Sequence, residues 1–214
     1  MPKTAIALLA IALMAFVAVP ALAVSTDIVI SEFRTRGPNG GNDEFIELYN
    51  LSGSAVNIGG WKVNGSNASG TTGTRVTITA GTILGSGCHY LLTNTATTGG
   101  PYSGGVPGDQ TYATGVTDDG GIAVLNASSV IVDQVGMSAG STYKEGTVLT
   151  PLTTNVNRGY ERLPGGIDNG QDTDNNSSDF QLLAPSNPQN KASACNSATP
   201  TLNSTWGTVK TLYR

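Results

Sequence analysis

Apolar residues recur at every second position along much of this chain, and glycine or proline interrupts every window long enough for an amphipathic helix. Period two is the spacing of a strand, whose side chains alternate between two faces. In a first strand Ile28, Ile30 and Glu32 share one face, with Val29, Ser31 and Phe33 on the other. In the run from Glu44 to Tyr49, Phe45, Glu47 and Tyr49 face one way and Glu44, Ile46 and Leu48 the other. RTRGPNGGND between them is a turn-rich connection, and past Tyr49 the apolar anchors are Val56, Ile58 and Trp61. KVNGSNASGTTGT reads as a loop or loose hairpin, and Arg75 to Ile78 and Cys88 to Leu92 as further strands. Asn94 to Asp109 reads as a surface loop of variable order. Ile122 to Leu125 and Val130 to Val135 form a hairpin turning at Asn126 to Ser129. Short strands with one apolar face each are unstable as a single open sheet, so two sheets must cover one another. The fold class expected is all-β, an immunoglobulin-like sandwich of about seven to nine strands with Trp61 filling its core.

The first 23 residues stand apart from this pattern. Lys3 precedes an apolar run from Ala5 to Val19, and Ala21 and Ala23 occupy the small-residue positions of a cleavage site. This is the pattern of a secretory signal peptide, with an uncleaved membrane anchor as the rival reading. No later window approaches a membrane span, so the expected mature chain begins near Val24 without a transmembrane segment. Ten basic residues then face fifteen acidic ones. That balance makes nucleic acid a poor partner, because its phosphates require a basic face. In an oxidising compartment Cys88 and Cys195 form either one disulfide or remain two free thiols.

Three motifs in order resemble a known family. IVISEF followed by DEFIELYN and GW, TDDGGIAVLNASSVIVDQVGM at 117–137, and GYERLPGGIDNGQDTDNNSSDFQLLAPSNPQN at 159–190 are similar to the opening, penultimate hairpin and closing segment of lamin tail domains. The resemblance implies the immunoglobulin-like module of nuclear lamins, which also occurs in many bacterial secreted proteins, standing here over residues 24–190. It implies a fold and a class of role rather than a reaction. In bacteria the module often accompanies nuclease or phosphoesterase domains, and the expectation here is a module standing without one.

Candidate chemistry is sparse. Asp168, Asp172, Asp174 and Asp179, with Asn176, offer the hard oxygen ligands that calcium takes. Counted from Asp172, however, Ser177 stands where an EF-hand needs glycine, and no glutamate closes the loop. The competing reading is that these side chains accept backbone N–H groups in successive turns. Glu32 and Glu47 lie on adjoining strands and could pair as acid and base. The plainer expectation is hydrogen bonds, or ion pairs with Arg34, Arg75, Arg158 or Arg162. His89 is the sole histidine, too few for a transition-metal site or a Cys–His pair, and no catalytic signature is present.

Residues 191–214 comprise a Ser/Thr/Pro linker and the basic-aromatic segment WGTVKTLYR. Trp206, Lys210, Tyr213 and Arg214 make it either a sorting or docking tag or a final edge strand. The expected protein is exported and non-enzymatic, a binding, adhesion or structural module without a cofactor. Its contact surfaces are loops 35–43, 64–74 and 94–115, and its partner a protein, polysaccharide or envelope component. The alternatives are an accessory module of an extracellular hydrolase or nuclease system, and a calcium-dependent matrix protein.

Overall fold

The computed structural model describes Ser25 and residues 27–196. The expected leader and the segment bearing Trp206, Lys210, Tyr213 and Arg214 lie outside the described residues.

The described chain forms twelve strands. They are β1 (Ile28–Arg34), β2 (Phe45–Asn50), β3 (Val56–Asn57), β4 (Lys62–Ser66), β5 (Thr72–Thr77) and β6 (Ile83–Leu84), then β7 (His89–Asn94), β8 (Gln110–Tyr112), β9 (Gly121–Leu125), β10 (Ile131–Gly136), β11 (Gly159–Arg162) and β12 (Phe180–Leu183). Among the described residues the only helical pieces are a 3-10 turn, Gly166–Asp168, and the single turn α1, Asn176–Asp179. Six strands form one sheet in the order β12-β11-β1-β2-β7-β8, and four form a second, β10-β9-β4-β5. β3 and β6 make a small ribbon. All pairs are antiparallel except β7 and β8, which run parallel. The expected all-β sandwich is the fold observed, and no helix among the described residues is long and apolar enough to cross a membrane.

The core lies between the two large sheets. Ile28, Ile30, Phe33, Ile46, Leu48, Tyr90 and Leu92 meet Val63, Val76, Ile122, Val124 and Val135 from the opposite layer. Phe33 anchors one end, edge-on to Phe180 at 5.6 Å and tilted against Tyr160 at 5.8 Å between ring centroids. Trp61 is half-buried and only abuts this cluster. The core is filled by Phe33, Tyr90, Tyr112, Tyr160 and Phe180 rather than by the expected indole.

Strict alternation fails once in β1, with a large consequence. The β1–β2 register shifts between Ile30 and Glu32, a β-bulge that places Ser31 and Glu32 on the same side. Glu32 therefore leaves the face of Ile28 and Ile30, and Phe33 takes the core position that strict alternation assigns to Glu32. Two other connections are more ordered than expected. KVNGSNASGTTGT is a paired hairpin, β4–β5, whose turn is organised by Asn67: its Oδ1 accepts the Ser69 and Thr71 N–H groups. The excursion from Asn94 to Asp109 is pinned by Asn42 N–H to the Gly99 carbonyl and by Ser103 N–H to Asp43, and it leads into β8.

Candidate functional site

Two layers of buried charge lie outside the apolar core, one on the outer face of the large sheet and one between the sheets. The outer face carries Ser31, Glu32, Arg34, Phe45, Glu47, Tyr49, His89, Leu91 and Glu161, all buried. Sandwich outer faces are ordinarily wet. This one is covered by the 94–109 excursion, where Tyr102 packs edge-on against Phe45 at 5.8 Å, and by residues 184–196. Asn187 N–H donates to Glu32 Oε1 at 3.2 Å, Gln189 N–H donates to Glu47 Oε2, and Asn190 Nδ2 donates to the Pro107 carbonyl at 2.9 Å.

Beneath that covering, Glu47, Glu32 and Glu161 stand directly opposite one another across β2, β1 and β11. Of the two expected kinds of partner, Glu32 and Glu47 have hydrogen bonds, and among the described residues neither forms an ion pair with an arginine. Arg34 is committed to Asp43, and Arg162 faces the opposite side of β11. Glu47 is nevertheless well solvated by the protein: Ser31 Oγ donates at 2.6 Å, Asn169 Nδ2 at 3.0 Å, and Gln189 N–H to its other oxygen. Burial raises its carboxyl to about 7 against these donors. Glu32 is poorer: among the described residues it has one N–H donor and an unpartnered Oε2. Burial and the facing Glu47 push it up to about 9.

His89 joins this layer. Its Nε2 lies 2.9 Å from Asn169 Oδ1 and 3.7 Å from Glu47 Oε1, and its ring stacks on Tyr49 at 4.7 Å. Burial lowers its pKa, so the ring is neutral at physiological pH. His89 and Glu47 are thus neighbours, but both are sealed, at 1% and 0% exposure.

Between the sheets, Arg162 reaches from β11 to Asp133 on β10, Nη2 to Oδ1 at 2.6 Å. The pair serves the backbone freed at the β1 bulge: Ile30 N–H donates to Asp133 Oδ2 and Arg162 Nε donates to the Ile30 carbonyl at 2.9 Å. Arg162 also stacks over the Phe180 ring at 4.5 Å and lies 3.5 Å from carboxylate oxygens of Asp172 and Asp179.

The four sequence-predicted calcium ligands separate accordingly. Asp179 accepts the Thr173 and Asn175 N–H groups and the Thr173 hydroxyl, the turn-forming role. Asp172 accepts Ser25 N–H at 2.7 Å. Asp168 ends the 3-10 turn, and Asp174 holds a positive φ of 56°. Among the described residues no three of these four aspartates bring ligand oxygens within 4.8 Å of one another; Asp172 instead meets Asp133 and Glu145 at that spacing. That group does not suit calcium, because the Arg162 guanidinium already lies on Asp133 and Asp172. Asn176, the remaining candidate, is a buried clamp: its Oδ1 accepts the Gly136 and Glu145 N–H groups, both at 2.9 Å.

Sequence reasoning missed Glu161, Asp133, Glu145 and Glu44. Glu44 is buried and takes Asn94 Nδ2 at 2.9 Å, Tyr112 hydroxyl at 3.2 Å and Val116 N–H at 3.0 Å, tying together β7, β8 and the entry to β9. The alternation around Glu44 puts it on the core side with Ile46 and Leu48, and a carboxylate there has to find donors.

Cys88 and Cys195 are joined as a disulfide, and Asn196 N–H donates to the Gly87 carbonyl at 2.6 Å. The closest approach there requires glycine: Gly87 has φ of 66°, and a Cβ on it would collide with the Asn196 carbonyl. Among the described residues an open cleft of about 560 Å³ is lined by Arg36, Val116, Asp118, Asp119, Leu152 and Thr153. Arg36 Nη2 and Asp118 Oδ2 pair across it at 2.9 Å, both partly exposed.

No curated protein matches the chain. The family model described as Lamin Tail Domain matches residues 22–139, more than half of the 214 residues, and covers β1 through β10. A sandwich with these opening strands and this penultimate hairpin accords with that match, and the chain belongs to the lamin tail domain family.

Proposed function

We propose that this protein is an exported, non-enzymatic binding module. The observation that carries the reading is the Cys88–Cys195 disulfide, a bond that persists in oxidising compartments and is rare in the cytosol. It accords with Lys3, the apolar run to Val19 and the Ala21/Ala23 pair at the amino terminus. The non-enzymatic part is supported by the sealing of Glu32, Glu47 and His89, the only close gathering of a histidine with carboxylates among the described residues. Recognition falls to the Arg36–Asp118 cleft, where loops 35–43 and 150–153 meet the entry to β9. Its mixed charge over Val116 and Leu152 suits a polar partner, a protein, polysaccharide or envelope component.

The test is amino-terminal sequencing and thiol counting on protein recovered from the envelope and medium. A start near Val24 with no free thiol is expected. A full-length Met1 chain retained in the cytoplasm with two free thiols would remove the proposal. Capture of an envelope component that Asp118→Lys abolishes would place binding at the cleft.

A further inference from the structure

We propose that residues 184–196 are a strap with two locks, one a disulfide and one a proton held on Glu32 between the facing Glu47 and Glu161, so that it opens only when both are released. The strap goes beyond the binding role and depends on no partner.

None of the strap's residues belongs to the apolar core clusters. Besides the bonds to Glu32, Glu47 and Pro107, it is held by Ser186 Oγ on Asn157 Oδ1 at 2.6 Å, Lys191 N–H on Asp109 Oδ2 at 3.0 Å, and Asn196 N–H on the Gly87 carbonyl. A segment retained by hydrogen bonds, with little apolar burial, belongs to the low-stability end of a fold and opens before the core does. The disulfide counters this by tying its far end to the start of β7.

Beneath the strap, three carboxyl groups stand in cross-strand register, and like charges directly opposite one another are destabilising. The groups facing the row are Arg34 on β1, bound to Asp43; His89 on β7, whose charged form burial disfavours; and Tyr102, whose hydroxyl has no partner among the described residues. None of them brings a free cation to Glu32. Glu47 has three donors to its carboxylate, whereas Glu32 has one donor and an oxygen with no partner among the described residues, so of the two it is Glu32 that holds its proton to the higher pH. Removing it leaves a buried charge whose cheapest relief is water, and water enters by lifting the strap. The strong rise at Glu32 agrees with this geometry.

Hydrogen exchange on the whole protein, read by mass spectrometry and corrected for intrinsic rates, tests both locks. Peptides from 184–196 are compared with β9, before and after reduction by a phosphine, at about pH 5 and about pH 9. Oxidised protein is expected to keep strap protection at both. Reduced protein should keep it at the lower pH and lose it about tenfold or more at the higher, with β9 unchanged. Glu32→Gln retains an acceptor for Asn187 and removes the titration, so reduced Glu32→Gln protein should stay closed at the higher pH. Equal strap protection at the two pH values after reduction, failure of Glu32→Gln to restore it, or loss of β9 protection together with the strap would each overturn the proposal.

Discussion

Arg162 ties the two sheets together through a single side chain. It spans the two sheets to Asp133, caps the Ile30 carbonyl at the bulge, and stacks on Phe180, all without exposure. Removing one partner of a buried pair leaves the other charged and unpaired, which costs about 3–5 kcal/mol. Arg162→Met should therefore lower the unfolding free energy by that amount in urea titrations, and a loss below about 1 kcal/mol would contradict the assignment. The same arginine argues against calcium. Because it already lies on Asp133 and Asp172, added calcium should leave the melting temperature where a chelator leaves it, and a rise with calcium concentration would show a site absent from this geometry.

At the scale of elements, the strap is the part whose contribution is easiest to isolate. The Cys88–Cys195 bond closes a loop across a sequence separation of 107. Removing a native disulfide from a small domain costs about 2–5 kcal/mol, much of it through the unfolded chain. The double variant Cys88→Ser, Cys195→Ser should melt earlier while keeping its far-ultraviolet β spectrum; loss of that spectrum would mean that the strap is required for the sandwich itself. The bulge in β1 is the other decisive element. Period two alone places Glu32 with Ile28 and Ile30, and one extra residue on that strand moves it to the outer face. Alternation is legible at Ile46, Leu48, Ile122 and Val124, all of which reach the core, because the extra residues at the β1–β2 and β9–β10 register shifts sit on β1 and β10 and leave β2 and β9 themselves unbroken. A bulge depends on what the neighbouring strand offers, and no local pattern in IVISEFR announces it.

For the whole molecule, buried acids set the response to pH. Glu32 and Glu145 are pushed up to about 9, and Glu44 and Glu47 to about 7, from an ordinary value of 4.5. Each group binds its proton more tightly in the folded chain than in the unfolded one. Their contribution to stability is thus complete below about pH 4.5 and is lost as the pH rises through about 7 and about 9. Scanning calorimetry should find a higher melting temperature at about pH 5 than at about pH 9, and Glu32→Gln should flatten the upper part of the decline. A temperature that rises across that interval would contradict the burial of these acids.

Much of this architecture is written in the order of residues. Periodicity and turn chemistry require strands and exclude long helices, and three motifs point to lamin tail domains. These are local properties, carried by neighbours a few positions apart. Which charges meet is different. Glu32 faces Glu161, Arg162 finds Asp133 on the other sheet, and Cys195 returns to Cys88, all through pairings between distant segments. Local alternation tells a side chain which face to take; only the closed sandwich supplies the neighbour waiting there, and with it the burial that makes an acid keep its proton.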